Sequence, residues 1–188
     1  MRTLIATVLA VATLIAQAAV ADEGPRGLRF DKMPVGCAIH ARYGGDDRRV
    51  TVYVGRKGNK NITRTYAEPA KGKPPSRLIV TIIYDAAGRM IRKDWAGGDW
   101  ETYTPYSCFD LPGQCRYRYR NGDGDNRFIV GKVTKRGGNY LSEGGFEGEA
   151  AFPPTVFTLG PFNEMTAFAE GSTQFKVTRY ENCGGTGS

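Results

Sequence analysis

The sequence predicts an all-β protein, an antiparallel meander of about eight short strands closing into a barrel or curled sandwich. One short C-terminal helix and two disulfides complete the expectation. Three observations lead to it. Apolar and polar residues alternate with period two in many segments, which puts successive side chains on opposite faces of a strand. Turn signals rich in Gly, Asn, Asp and Pro recur roughly every 8–12 residues, the spacing of sandwiches and barrels. So many short hairpins would also leave unpaired edges unless the sheet curled or closed on itself.

The clearest alternation runs from Cys115 to Arg120. Cys115, Tyr117 and Tyr119 share one face, and Arg116, Arg118 and Arg120 share the other. Asn121-Gly122 then supplies residues that tolerate positive φ, as a tight hairpin turn requires. On the preceding segment Trp100, Thr102, Thr104 and Tyr106 line one face in the same way. Residues 95–128 thus form two or three antiparallel strands with an aromatic side and a cationic side. Half-exposed sheets commonly look like this, with the arginines as a solvated face. The sharper account is a ladder of three arginines at intervals of about 7 Å, twice the strand rise. Such a ladder would take a polyanion, since guanidinium forks suit phosphate and carboxylate. The candidate ligand-binding residues are therefore Arg116, Arg118, Arg120, Trp95, Trp100, Tyr117 and Tyr119.

The amino terminus carries Met1-Arg2, an apolar run over residues 4–16, and Ala19-Val20-Ala21 before Asp22. A charged start, a short apolar core and small residues at −3 and −1 make a secretory signal peptide. The run is too short to span a bilayer. Cleavage after Ala21 is expected, and removing 21 residues from 188 leaves 167. The expected product is periplasmic or secreted, with no transmembrane anchor. It comprises one all-β domain over residues 22–183 and a flexible Gly-rich tail over 184–188. Loss of Arg2 lowers the formal charge from +7 to +6, which fits an anionic glycan, glycolipid or other envelope component.

Four cysteines in an exported chain predict two disulfides. Three pairings are possible, and Cys37–Cys183 with Cys108–Cys115 is the favoured set. The first fastens the two ends of the domain, and the second closes the short Phe-Asp-Leu-Pro-Gly-Gln loop. A single histidine and an oxidising compartment argue against zinc.

In order, residues 37–43 form a first strand that carries His40, expected to pack or to lie on the surface. Val50, Val52 and Val54 alternate with Thr51 and Tyr53. Residues 58–60 turn the chain and 62–66 return it. Asn61-Ile62-Thr63 matches a glycosylation acceptor, which matters only in a eukaryotic secretory pathway. Residues 68–76 make a Pro-rich basic loop. Residues 78–84 are apolar on both faces, which predicts the most central strand. A turn over 84–89 leads to a return over 90–95. Further strands are expected over 129–135 and 140–146, the latter weakened by Gly144, Gly145 and Gly148. Pro153-Pro154 interrupts. Asn163 is a plausible N-cap for a helix over 164–170, stopped by Gly171. Phe175 and Val177 mark the last strand.

Tyr84-Asp85-Ala86-Ala87-Gly88-Arg89 followed by Met90 resembles one unit of the YD repeats of Rhs-type proteins. The resemblance covers about ten residues and implies a hairpin. Gly98-Asp99-Trp100 is similar to the Gly-x-Trp of lipocalins, ligand-carrying barrels in which the motif lies on the first strand. Here it comes mid-chain.

Few residues suggest chemistry. Residues 121–126 place oxygens at the odd positions of a calcium loop. However, Asn126 and Lys132 stand where an EF-hand needs Gly and Glu, so a hairpin turn is expected and metal is not. Asp94-Trp95 and Asp99-Trp100-Glu101 set acids beside indoles, as sugar sites do, and paired carboxylates could hydrolyse a glycoside. There is no Gly-x-Ser-x-Gly and no phosphate-binding glycine loop before a helix. Catalytic residues, cofactors and nucleic acid are therefore not expected. The leading expectation is a non-enzymatic binding module of the cell envelope, contacting an anionic or glycan surface. The alternatives are a barrel carrying a small apolar ligand in an interior lined by Trp100, Tyr117, Tyr119 and the valines, and a glycan hydrolase using Asp99 and Glu101.

Overall fold

A computed structural model describes residues 27–45, 47–68, 77–108, 113–170 and 173–184. Twelve antiparallel strands run in chain order around a closed barrel. They are β1 (Ala38–Tyr43), β2 (Arg48–Lys57), β3 (Lys60–Ala67), β4 (Leu78–Tyr84), β5 (Met90–Trp95) and β6 (Trp100–Cys108). The ring continues through β7 (Gly113–Asn121), β8 (Asn126–Arg136), β9 (Asn139–Phe146), β10 (Thr155–Leu159), β11 (Met165–Glu170) and β12 (Thr173–Glu181). Each strand pairs with its chain neighbours, and β1 pairs with β12 to close the ring. Closure removes the edges that the many hairpins threatened to leave. It also leaves β4 with no special central place, despite its apolar residues on both faces.

Two expectations are corrected. The strands number twelve rather than about eight, and the predicted C-terminal helix is β11. Asn163 takes φ 57°, so it turns the β10–β11 hairpin instead of capping a helix. Met165, Ala167, Phe168 and Ala169 then pair with β10, and residues 167–170 pair with β12. Hydrogen bonds to two neighbouring strands outweigh the weak helix propensity of a seven-residue segment. Among the described residues there is no helix, hence none long and apolar enough to cross a membrane.

The described residues hold one disulfide, Cys37–Cys183, bridging 146 positions of sequence separation. It lies in a buried cluster with Met33, Tyr53 and Phe162, against which Phe30, Ile39 and Tyr180 pack. Cys108 and Cys115 are direct cross-strand partners in the β6–β7 register, and the Cys108 side chain lies outside the described residues. The signal peptide, the Pro-rich loop core at 69–76, Gly171 and the last four residues also lie outside them.

Residues 27–36 cross one end of the barrel. Arg29 N–H donates to Phe162 O (2.8 Å), Leu28 N–H to Gly88 O (3.1 Å) and Gly36 N–H to Tyr53 O (2.9 Å). The Phe30 ring meets Tyr53 at 4.9 Å and Tyr84 at 5.0 Å. Gly144 explains one close approach in the wall. A Cβ there would lie 2.6 Å from the Val130 carbonyl, so only glycine lets β8 and β9 run this tightly.

Candidate functional site

Strand alternation and register sort the side chains into an outer and an inner set. Arg116, Arg118 and Arg120 lie on the outer wall, and Tyr117 and Tyr119 point inside, where they meet Tyr103 at 6.0 and 5.7 Å. Trp95 faces inward beside Lys93. Trp100 is on the outer side, with the Arg92 guanidinium 5.4 Å from its ring centre. The seven candidate ligand-binding residues thus fall on two sides of the barrel wall and do not converge on one site. Arg116 makes a two-pronged bond to Glu147 (3.0 and 2.9 Å) and covers the Phe128 ring at 3.4 Å. Arg118 donates to Asn126 Oδ1 at 2.7 Å. Arg120 is exposed.

The hydrolytic pair is not assembled either. Glu101 faces the interior, accepting from the Tyr103 phenol and pairing with Lys93 Nζ at 3.3 Å. Asp99 is exposed in the β5–β6 turn. Burial alone would raise the Glu101 carboxyl, but Tyr103 and Lys93 hold it below the usual carboxylate range. Burial and that same carboxylate push the Tyr103 phenol far above its ordinary value.

Residues 121–126 form the β7–β8 turn. Asp125 N–H donates to Asn121 Oδ1 at 2.9 Å, and no group of three metal-ligating side chains occurs among the described residues. Asn61 of the glycosylation sequence is buried and accepts from the Tyr53 phenol at 2.9 Å, out of reach of a glycan. His40 is buried between Glu68 (3.0 Å) and Glu181 (3.1 Å), with Arg179 against its ring.

The feature that stands apart is inside the barrel, where a cavity of about 500 Å³ lies between β1–β4 and β8–β12. Its wall is mostly apolar and aromatic, including Ile39, Ala41, Tyr43, Val133, Phe157, Leu159, Met165 and Phe175, and Leu28 and Met33 close one end. Stacked pairs stiffen it: Tyr140 on Phe157 and Phe168 on Phe175, both with ring centres 5.4 Å apart. A few polar groups interrupt this lining. Thr51 and Thr65 bond to each other at 2.9 Å. Burial pushes the Tyr84 phenol up to about 12. Beside it lies the Thr63 hydroxyl, on a residue only 2% exposed, and its interaction with that phenol opposes the upward shift.

A cavity forgoes the packing its lining could have made. Little in the sequence points to it, because Thr51, Thr63 and Ser142 read as ordinary polar members of strands and Thr155 falls in a segment with no strand pattern. Only closure turns them inward together.

No protein-family model matches this chain, and neither a curated protein nor a solved structure is significantly similar to it.

Proposed function

We propose that this protein is a non-enzymatic carrier that encloses a small, mainly apolar ligand within its barrel. The observation that carries the proposal is the cavity of about 500 Å³, mostly apolar, with the Thr63 hydroxyl and the Tyr84 phenol side by side in its wall. That volume falls within the roughly 300–1,000 Å³ of small-molecule sites, which combine apolar walls with a few polar groups that fix orientation. The arginine ladder has less support as the primary site, since Arg116 and Arg118 already bind Glu147 and Asn126.

Export to the periplasm or medium is part of the proposal, supported by the signal-like residues 1–21 and the Cys37–Cys183 disulfide. The cross-strand register of Cys108 and Cys115 supports the second bridge. A water-filled rather than lipid setting is supported by the outer wall, which carries Arg92, Asp94, Arg116, Arg118 and Lys132. On a transmembrane barrel such outward charges cost about 2–4 kcal/mol each at mid-bilayer.

The test is native mass spectrometry of the unreduced protein, together with uptake of the apolar dye N-phenyl-1-naphthylamine. Ala41, 6% exposed, lines the cavity, and Ala41→Phe should fill part of it. The expected result is dye uptake by the wild type and a loss of at least tenfold in the folded variant. Equal uptake by both would place the dye elsewhere and sink the carrier reading.

A further inference from the structure

The end of the cavity near residues 27–36 carries an ionisable group that the enclosing reading does not by itself require. Glu164 is 7% exposed and lies on the cavity wall beside Asn163 and Met165. One carboxylate oxygen accepts the Phe162 N–H at 2.8 Å. The other accepts the Tyr180 phenol. Burial and this neighbouring carboxylate push the Tyr180 phenol well above its ordinary value. Both donors are neutral. Among the described residues no ion pair involves Glu164, and no lysine or arginine lines the cavity.

A buried carboxylate without a counter-charge is expensive, because two neutral hydrogen bonds replace its hydration only in part. The backbone nonetheless makes room for it. A Cβ at Gly160 would collide with the Glu164 carboxylate, so glycine at that position lets the side chain lie flat across the β10–β11 turn. Each oxygen also retains acceptor capacity beyond the one bond it makes. The second polar feature, the Thr63 hydroxyl beside the Tyr84 phenol, is 2% exposed and lines the same cavity from β3. It can donate to or accept from a guest.

We infer that the ligand is an amphipathic amine, its protonated nitrogen held by the Glu164 carboxylate and its apolar body packed against the aromatic wall. This rests on the carrier reading and adds the charge of the guest to it. An ammonium would supply the missing counter-charge in a water-poor site, where a charge-assisted hydrogen bond is roughly twice as strong as a neutral one. Tyr43, Phe157 and Phe175 give the rest of the molecule, and any cationic edge of it, ring faces to lie on.

The experiment displaces N-phenyl-1-naphthylamine from the unreduced protein with three probes of equal chain length: octylamine, 1-octanol and octanoate. All are used below their micellar concentrations at neutral pH. Octylamine should displace the dye at a concentration at least tenfold lower than 1-octanol, and octanoate should be weakest. In Glu164→Gln the advantage of the amine over the alcohol should vanish while dye uptake itself persists. If dye enters the wild type and octylamine is no better than 1-octanol, the amine assignment is overturned and the carrier reading stands. If neither the dye nor any probe binds, both are overturned. Should Glu164→Gln fail to fold, the amine-to-alcohol ratio of the wild type decides alone.

Discussion

Between β5 and β9 the polar groups that face into the barrel mostly bind one another, whereas around β1–β4 and β10–β12 they face a cavity. In the first region Lys93, Glu101 and Tyr103 form a closed set. Tyr119 packs on Phe146 at 5.9 Å, and Arg127 covers Phe146 at 3.4 Å while bonding Glu149 and Asp125, although its Nε has no partner among the described residues. In the second region Thr63 and Tyr84 face the cavity together, and Glu164 has no counter-charge among the described residues. The same alternation builds both walls. What differs is whether charged side chains and rings fill the interior, and room for a guest remains where they do not. A group satisfied within the fold contributes to stability, and one left unsatisfied is a standing cost that a ligand could relieve.

The largest expected effect breaks the cavity region as a whole. Cys37–Cys183 sits among Met33, Tyr53 and Phe162 at the closed end, and it joins the first strand to the exit from the last. In the chain-entropy account a loop this long contributes on the order of 4–5 kcal/mol. Replacing both cysteines with serine should lower the midpoint of thermal unfolding by well over ten degrees and abolish dye uptake. A double-serine protein that melts within two degrees of the wild type and still takes up dye would show that the closed end holds without its bridge.

A paired comparison sharpens the contrast between the regions, because the two substitutions should differ in size. Glu101→Gln removes the charge that Lys93 and Tyr103 share, so a loss of about 1–3 kcal/mol is expected in denaturant unfolding. Thr63→Val removes, at nearly constant volume, a hydroxyl whose polar neighbour is the Tyr84 phenol, so the empty protein should change by less than about 1 kcal/mol. The Glu101 carboxyl is held below its ordinary value in the folded protein. It therefore adds stability that is complete above an unfolded value of about 4.3 and is lost as pH falls through the folded one. Glu101→Gln should flatten that acid-side slope. It should not remove the slope, because Asp47, held low by Arg49, contributes with the same sign. Should Thr63→Val destabilise as much as Glu101→Gln, the two regions would not differ in the way described.

Most of the wall was legible in the sequence. Alternation in residues 50–54, 78–84 and 115–120 survives in the barrel and Cys37–Cys183 joins as expected, but Thr51 and Tyr53, rather than the valines beside them, line the interior. The misreadings share a physical cause. β10 is only five residues long and follows Pro153-Pro154, so it offers too short a pattern to see. In β11 Met, Ala and Glu, with Asn ahead of them, look like the start of a helix until two flanking strands supply partners. Glu164 was read as part of that helix, and the same misreading hid the cavity's only carboxylate among the described residues. Thr63 passed as part of a glycosylation sequence. In an open sheet its face would be wet, and only the path of the chain around a closed ring decides otherwise. Periodicity reports which residues share a face and is silent on what that face encloses.

The smallest expected effect concerns the outer wall, where the sequence drew most notice. Arg116 and its partner Glu147 are each about half exposed, with side-chain accessibilities of 43% and 50%, so solvent and salt screen their attraction. Replacing Arg116, Arg118 and Arg120 together with glutamine should leave the melting temperature nearly unchanged and dye uptake intact, since neither region of the interior is touched. Binding to vesicles of anionic lipid, followed as salt is raised, measures what the arginines do contribute. Salt-sensitive binding that disappears in the triple variant would give the outer wall a role of its own beside the cavity. Loss of dye uptake in that variant would mean that the two faces of β7 are coupled through the wall, and the comparison of a self-satisfied region with an open one would have to include the outer surface.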